Sequence, residues 1–247
     1  MLMHPILDKL RSLRFFGMLT ALEEQMKMAD IEKLSFEERF GLLVDREMID
    51  RQNRRFKTRL GKAKLRQTAC LEDIDFRHPR GLDKSLMMQL ASGQWIKETN
   101  NVLIIGPTGV GKTYLACALA HKACQQDYSA LYFRLPRLLQ ELDIAKGDGR
   151  YGKILKGFAK TNLLVIDDWG LKKFIKDQSH DILEILEDRH RLRSTLITSQ
   201  VPVDHWHEIV ADPTLADAIL DRLVHNAYRI NLKGESMRKK KSNLTNT

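Results

Sequence analysis

The segment that most constrains the fold spans residues 101–117 and reads NVLIIGPTGVGKTYLAC. Its apolar beginning, residues 102–105, is typical of a buried β-strand, and the residues from Tyr114 onward are typical of a helix. The residues between them match the phosphate-loop pattern G-x-x-x-x-G-K-[ST]. They are Gly106, Pro107, Thr108, Gly109, Val110, Gly111, Lys112 and Thr113. A strand, a glycine-rich loop and a helix in this order predict an α/β fold with a binding site for a nucleoside triphosphate.

Each part of this loop has an expected role in holding the triphosphate. Glycines let the backbone direct its N–H groups at the phosphates, and the following helix adds the positive end of its dipole. We expect Lys112 to reach the β- and γ-phosphates and the Thr113 hydroxyl to help hold Mg²⁺. The chain lacks the Asn-Lys-x-Asp sequence with which GTPases of the usual type read guanine.

The composition indicates a folded, basic protein. The 247 residues are 43% apolar and 30% charged, which is enough apolar content to form a core. The formal net charge is +9 and the isoelectric point is about 9.5. Nucleic acid is the usual partner of such a surface, and a merely basic protein without that partner is the alternative.

The cysteines and the apolar runs indicate a cytoplasmic protein. Cys70, Cys117 and Cys124 form no C-x-x-C pair, so neither a zinc ribbon nor a disulfide framework is indicated. The amino-terminal residues lack the continuous apolar core of a secretion signal. No run approaches the roughly 18 apolar residues of a membrane span, so we expect no membrane partner.

Residues 1–68 are predicted to form a small, all-helical amino-terminal domain. Ser35 followed by Glu38 is a capping box that predicts the start of a helix. Over residues 51–66 this helix becomes basic and amphipathic, with no acidic residue. We expect it to bind DNA; a solvated face and a partner-binding helix are the alternatives. The candidate DNA-binding residues are Arg51, Arg54, Arg55, Lys57, Arg59, Lys62 and Lys64.

Residues 69–247 are predicted to form an α/β domain, because alternating strand-like and helical segments imply a parallel sheet covered on both faces. The predicted strands are 101–105, 129–133, 162–167, 194–199 and 227–232, and the predicted helices include 114–126, 135–145, 178–192 and 216–226. Residues 70–79 alternate like a short strand. A mobile loop is indicated by Gly147, Gly149 and Gly152. The residues from about 233 onward are expected to form a basic tail.

Two acids follow the apolar run at residues 163–166. Asp167 and Asp168 stand at the carboxyl end of this predicted strand, which faces the crevice where ligands bind in open parallel sheets. We expect Asp167 to hold the Mg²⁺ shell and Asp168 to orient or deprotonate the attacking water. An acidic pair on the surface is the alternative.

Two further positions are expected to act on the γ-phosphate. A neutral polar side chain at the end of the fourth predicted strand can hydrogen-bond the attacking water and sense the phosphate. The candidates are Thr198, Ser199 and Gln200. An arginine from a neighbouring subunit can stabilise the charge that develops in phosphoryl transfer, and Arg222 is the candidate. An ordinary strand-end turn and an exposed helical arginine are the alternatives.

Four segments, in their order and spacing, resemble the IstB-like transposition helper ATPases of bacterial insertion sequences. They read GPTGVGKT, LLVIDDWG, STLITSQVPVDHWHE and ILDRLVHNAYRI. The opening LRFFGMLTALEEQ and the segment LEDIDFRHPRGLDK also resemble that family, so the likeness covers nearly the whole chain. The family belongs to the AAA+ class and is close to the helicase loader DnaC and the primosomal protein DnaI.

The resemblance implies an αβα sandwich with a five-stranded parallel sheet. It implies an ATP-dependent oligomer on double-stranded DNA, recruitment and activation of a separate transposase, and ATP hydrolysis that resets the assembly. At the matching positions, residues 106–113 would bind ATP, Asp167 would hold Mg²⁺ and Asp168 would serve the water. The polar group near Gln200 would be the first sensor, and Arg222 would be given to the next subunit.

Two departures from the AAA+ pattern bear on these roles. Most AAA+ enzymes have glutamate where Asp168 stands, and the shorter side chain predicts slow hydrolysis. The chain also ends soon after its last predicted strand, so no carboxy-terminal helical lid is expected. Arg238 is then the candidate second sensor, and a disordered tail is the alternative.

Three other functions stay open. A helicase loader of the DnaC kind would have the same ATP site and differ in the partner of its amino-terminal domain. A small-molecule kinase would need an acceptor and no basic amino-terminal domain. A pure binding module would hold ATP without turning it over.

Overall fold

The structure, a computed structural model, describes residues 5–237. The chain divides into two compact units, Met1–Thr58 and Arg59–Thr247. The division falls within a long helix, upstream of the boundary expected near residue 68. The last turn of that helix therefore belongs to the second unit.

The described part of the first unit is helical, as predicted for the amino-terminal domain. Its elements are α1 (Pro5–Ser12), α2 (Phe16–Gln25), a 3-10 turn (Ile31–Lys33) and α3 (Phe36–Ala63), which continues into the second unit. The predicted capping box is confirmed: the Glu38 N–H donates to Ser35 Oγ (3.2 Å), and the Ser35 N–H donates to Glu38 Oε2 (2.7 Å). The prediction that α3 continues to Arg66 was wrong, because Lys64 takes a left-handed φ of +51° and ends the helix.

Helices α2 and α3 approach each other closely at Gly17. A Cβ atom at this position would lie 2.6 Å from the Cα of Glu47, so no larger residue fits. The buried Glu47 carboxylate accepts the N–H groups of Gly17 (2.7 Å) and Met18 (3.2 Å), in the first turn of α2. It thereby pairs two donors that a helix start leaves without an intrahelical partner.

The second unit alternates helices and strands. Its elements are α4 (Lys84–Ala91), α5 (Gln94–Lys97), β1 (Asn101–Ile105), α6 (Lys112–Gln125), β2 (Ala130–Arg134), α7 (Leu135–Gly147), α8 (Tyr151–Lys160), β3 (Leu163–Trp169), α9 (Lys176–Glu187), β4 (Ser194–Ser199), a 3-10 segment (Val203–Ile209), α10 (Pro213–Val224) and β5 (Ala227–Asn231). The five strands form one sheet in the order β2-β3-β4-β1-β5, and every neighbouring pair is parallel. The five-stranded parallel sheet that the resemblance implies is therefore confirmed.

Helices cover both faces of the sheet. On one face, Leu103, Ile166 and Ile197 of three central strands join an apolar cluster with residues of α7, α9 and α10. Helix α6, which follows the phosphate loop, packs against β1, β2, β3 and β4. The central strands are buried from both sides, and this explains their continuous apolar runs.

Two local predictions in the second unit were wrong. Residues 70–79 form turns and bends rather than a strand, because an alternating run becomes a strand only where another strand pairs with it. The loop around Gly149 is shorter than predicted, since α8 begins at Tyr151 and includes Gly152. The burial of Leu155 and Phe158 explains why a glycine-containing segment is helical here.

Three further expectations concern a helical lid, Arg238 and a membrane span. After β5 the described residues, which end at Met237, hold no helical lid. Arg238, the candidate second sensor, lies outside the described residues, as does most of the basic tail. Within residues 5–237, no helix combines the length and the apolar character needed to cross a bilayer.

Candidate nucleotide-binding site

Three parallel strands bring most of the predicted site residues to one edge of the sheet. The phosphate loop follows β1, Asp167 and Asp168 lie near the end of β3, and Thr198 lies near the end of β4. Because the strands are parallel, these ends meet at the carboxyl edge, where open α/β sheets bind ligands.

The phosphate loop has a backbone conformation that depends on its glycines. Gly109 and Gly111 have φ angles of +87° and +97°, a region that residues with a Cβ rarely adopt. Helix α6 begins directly afterwards, so the positive end of its dipole faces the loop. The Lys112 side chain is buried, and its Nζ donates to the carbonyl oxygens of Gly106 (2.7 Å) and Pro107 (2.8 Å). The ammonium group is therefore held inside the loop.

Asp167 is the most deeply buried acid of the site, with 1% of its surface exposed. Its carboxylate accepts hydrogen bonds from the hydroxyl groups of Thr113, Tyr132 and Thr198. Burial, together with the bond to Asp167, raises the pKa of Tyr132 well above its usual range. Tyr132 therefore stays protonated and acts as a permanent donor that fixes the carboxylate.

The donors around Asp167 fit Mg²⁺. Thr113 Oγ1 lies 3.1 Å and 3.0 Å from the two carboxylate oxygens of Asp167. Hydroxyl and carboxylate oxygens are ligands that Mg²⁺ accepts. Substrate phosphates and waters usually supply its other ligands. Within residues 5–237, no group of three or more His, Cys, Asp or Glu side chains could hold a metal ion. A metal ion held at this site would therefore depend on oxygens of the nucleotide.

Asp168 occupies an unusual backbone position. Its φ is +66°, and the pairing of β3 with β4 is irregular between Ile166 and Trp169. Aspartate and asparagine tolerate the left-handed region better than most residues, because their short polar side chains bond locally. The Asp168 N–H donates to Thr198 Oγ1 (3.2 Å), and its Oδ2 accepts from Arg134 Nε (2.7 Å). This conformation favours aspartate at the position where most AAA+ enzymes have glutamate.

Two arginines neutralise the acids, and the sequence reasoning missed both. Arg134 ends β2 and pairs with Asp168, as described above. Arg66 Nη1 lies 3.6 Å from Asp167 Oδ2 and 3.9 Å from Asp168 Oδ2. The pKa of Arg66 is raised by a hydrogen bond with Tyr132 and by the negative charges of Asp167 and Asp168. Arg66 therefore stays positively charged. The sequence signal was only the basic run before residue 68, which gave no indication that the Arg66 guanidinium reaches the acid pair.

The polar residues at the end of β4 have different surroundings. Thr198 contacts both acids, as described above. Ser199 Oγ donates to the carbonyl oxygen of Trp169 (2.9 Å), inside the core. Gln200 Oε1 accepts from Thr108 Oγ1 (2.6 Å) at the phosphate loop. Of the three candidates, Thr198 is thus nearest the acids and Gln200 is nearest the loop.

Arg222 lies at the opposite edge of the sheet from the phosphate loop of its own chain. It lines a cavity of about 450 Å³ together with Asn101, the first residue of β1, and Thr195, near the start of β4. Its guanidinium forms an ion pair with Glu187. Arg222 is therefore not brought together with the other predicted site residues.

The predicted DNA-binding residues differ in their contacts. In the first unit, Arg51 and Arg54 lie 2.6 Å and 3.4 Å from Glu47 Oε1. In the second unit, Arg59 pairs with Asp127 at 2.5 Å. The remaining candidates are exposed and form no ion pair with any other described residue; they are Arg55, Lys57, Lys62 and Lys64.

Comparison with known proteins places this geometry in a family. A family model described as IstB-like ATP binding protein matches residues 8–245. The chain is 53% identical over 239 residues to an insertion sequence ATP-binding protein of Sinorhizobium fredii, covering 97% of this chain and 98% of that protein. The crystal structure of DnaI superposes with a TM-score of 0.57 at 25% identity, over 68% of this chain and 92% of that one. The DnaC helicase loader shares the fold, with a TM-score of 0.50 at 22% identity over 59% of this chain and 86% of the loader. The chain has an AAA+ type fold and belongs to the family of IstB-like ATP-binding proteins.

Proposed function

We propose that the protein is an ATP-dependent helper of transposition. It binds and oligomerises on double-stranded DNA, recruits and activates a partner transposase, and is reset by ATP hydrolysis. One observation carries this proposal: a phosphate loop and a hydroxyl-bonded acid pair meet at one sheet edge, in a chain related to insertion sequence ATP-binding proteins. The basic residues of α3 supply the charge for DNA.

The site residues have separate roles in hydrolysis. Lys112 and the loop N–H groups bind the phosphates, while Thr113 and Asp167 hold Mg²⁺. When bound, Mg²⁺ neutralises charge on the β- and γ-phosphate oxygens. Asp168 accepts the proton of the water that attacks the γ-phosphorus, as the bond to the bridging oxygen breaks. Thr198 Oγ1 accepts a hydrogen bond from the backbone N–H of Asp168 and so orients Asp168. Gln200 contacts the γ-phosphate from the side of the phosphate loop.

Two arginines restrain this acid pair. Arg134 holds Asp168 Oδ2 at 2.7 Å, and Arg66 lies within 4 Å of both carboxylates. The Arg134 guanidinium occupies the Asp168 oxygen that would otherwise accept a proton from the attacking water. Hydrolysis is therefore slow until DNA or the partner protein changes these contacts.

Arg222 acts on the nucleotide of a neighbouring subunit. The Arg222→Ala variant is expected to bind ATP normally and to hydrolyse it about 10³-fold more slowly, since a charge-stabilising arginine contributes about that much. Phosphate release on duplex DNA measures the effect. Arg229→Ala removes an exposed arginine from β5 and is the matched control.

A mixing experiment tests whether Arg222 acts between subunits. Lys112→Ala protein lacks ATP binding but keeps Arg222, so an equimolar mixture with Arg222→Ala protein contains some complete composite sites. We expect part of the activity to return in the mixture. A mixture as inactive as both variants would show that Arg222 acts within its own chain or only on folding.

DNA binding is tested by its dependence on salt and ATP. Each neutralised phosphate releases counterions, so log K is expected to fall with log[salt] by about 0.9 per contact. A variant with glutamine at Arg55, Lys57, Lys62 and Lys64 is expected to lower this slope by about 3.6. Duplex affinity measured across salt, with and without a non-hydrolysable ATP analogue, gives both quantities. An affinity that responds to neither salt nor nucleotide would end the proposal.

A helicase loader is the second candidate function. The likeness to DnaI, at 25% identity over 92% of that chain, favours it. The ATP site is the same in both cases, so the partner decides. Tagged protein with ATP and DNA should retain the transposase of the same insertion sequence. Retention of the replicative helicase instead would favour the loader.

A further inference from the structure

Helix α8 (Tyr151–Lys160) has two sides of opposite character. Successive residues of an α-helix are rotated by about 100°, so the sequence YGKILKGFAK can be placed around the axis. Leu155 and Phe158 are buried, and the Phe158 ring packs edge-on against Phe133, with 5.4 Å between the centroids. Tyr151 on the same side donates to Asp181 Oδ1 at 2.8 Å. The apolar side therefore anchors α8 to the second unit of the chain (the ATPase unit).

The opposite side of α8 contains only lysine and glycine. An arc of about 140° holds no other residue type; its members are Gly152, Lys153, Lys156, Gly157 and Lys160. All five are exposed, and none of the three lysines forms an ion pair with any residue in the described range 5–237. The helix itself has no acidic residue.

Asp181 and Glu184 contact α8 at Tyr151, on its apolar side. Asp181 pairs with Lys146 at 2.7 Å, and Glu184 accepts from the Tyr151 hydroxyl at 2.7 Å. Asp148, in the preceding turn, pairs with Arg150 at 2.6 Å. The charge on the lysine side is therefore not balanced by these acids.

The two glycines on this side have no explanation within the fold. Gly152 and Gly157 lie inside a regular helix without a positive φ, and a Cβ at either would meet no atom within 4 Å. Glycine weakens a helix relative to alanine, so its presence here needs another reason. Because glycine has no side chain, the backbone of another molecule can approach the helix closely at these positions.

We propose that the lysine and glycine side of α8 binds the phosphodiester backbone of double-stranded DNA. The three lysines supply phosphate contacts, and the two glycines let the sugar-phosphate chain lie against the helix. This surface belongs to the ATPase unit and adds to the basic residues of α3. The inference rests on the proposed DNA-binding function and names a second surface for the same partner.

The test replaces Lys153, Lys156 and Lys160 together with glutamine. With a non-hydrolysable ATP analogue present, the slope of log K against log[salt] for duplex DNA is expected to fall by about 2.7. Affinity at low salt should fall at least tenfold. A control with glutamine at Lys84, Lys97 and Lys122 removes the same charge elsewhere in the ATPase unit and should keep a slope at least 2 units steeper than the α8 variant.

A second variant separates contact from folding. Gly157→Leu should raise or maintain the melting temperature, because leucine favours helix, and lower duplex affinity about tenfold by blocking close approach. Equal slopes for the α8 and control variants, or an unchanged affinity of Gly157→Leu, would overturn the inference. A loss confined to single-stranded DNA would overturn the assignment to duplex. Absence of DNA binding by the unmodified protein would instead overturn the proposed function.

Discussion

The Asp168→Asn variant is expected to bind ATP with unchanged affinity and to hydrolyse it at least about 100-fold more slowly. A general base contributes roughly 10²–10⁴-fold to a rate, and asparagine cannot take the proton of the attacking water. Asparagine is the appropriate replacement because it tolerates the left-handed φ of +66° at this position. Fluorescent-nucleotide binding and phosphate release on duplex DNA measure the two quantities separately.

The control for this experiment is Asp177→Asn, which neutralises an exposed aspartate in the first turn of α9. We expect neither ATP binding nor hydrolysis to change in this control. Unchanged turnover in Asp168→Asn would remove Asp168 from the mechanism. A parallel loss of ATP affinity would mean that the residue holds the nucleotide rather than the water.

The Arg189→Met variant is expected to destabilise the second unit by roughly 3 kcal/mol or more. Arg189 is 1% exposed, and burial followed by the neighbouring Arg193 lowers the pKa of Arg189 to about 9. Its guanidinium donates to the carbonyl oxygens of Phe158, Thr161 (2.8 Å) and Ser194. Methionine has similar length but removes these three hydrogen bonds, and a hydrogen bond to a charged group contributes about 1.5–3 kcal/mol. The Phe158 oxygen keeps the Thr161 N–H as a second donor (3.1 Å).

Urea unfolding followed by tryptophan fluorescence measures this loss. All three tryptophans lie in the second unit and are buried, so their emission reports that unit; they are Trp95, Trp169 and Trp206. Arg191→Met, at an exposed position close by, is the control and should change the free energy of unfolding little. A loss in Arg189→Met no larger than in this control would mean that the buried guanidinium does not hold α8 to β4.

The local parts of the nucleotide site could be predicted from sequence. The phosphate loop has a fixed spacing because its glycines need positive φ angles, and Asp167 follows an apolar run that only a buried strand explains. The order β2-β3-β4-β1-β5 was beyond the residue pattern alone, since it depends on pairing between strands far apart in the chain. The family resemblance implied a parallel sheet of five strands but gave no order for them.

The groups that hydrogen-bond to or pair with Asp167 and Asp168 could not be predicted. Tyr132 and Arg134 belong to β2, and Arg66 follows α3, so only the folded chain brings them to Asp167 and Asp168. Helix α8 was missed for a different reason. Its glycines are typical of a loop, and the burial of its apolar side outweighs that local preference.

The proposed function requires that a nucleotide site controls how copies of this protein assemble on duplex DNA. Mass photometry of the purified protein with a defined duplex, Mg²⁺ and a non-hydrolysable ATP analogue tests it directly. We expect particles that contain several copies per duplex with the analogue, and far fewer without nucleotide or with the Lys112→Ala variant. Single copies under all of these conditions, with nucleotide and DNA in excess, would contradict the proposed assembly.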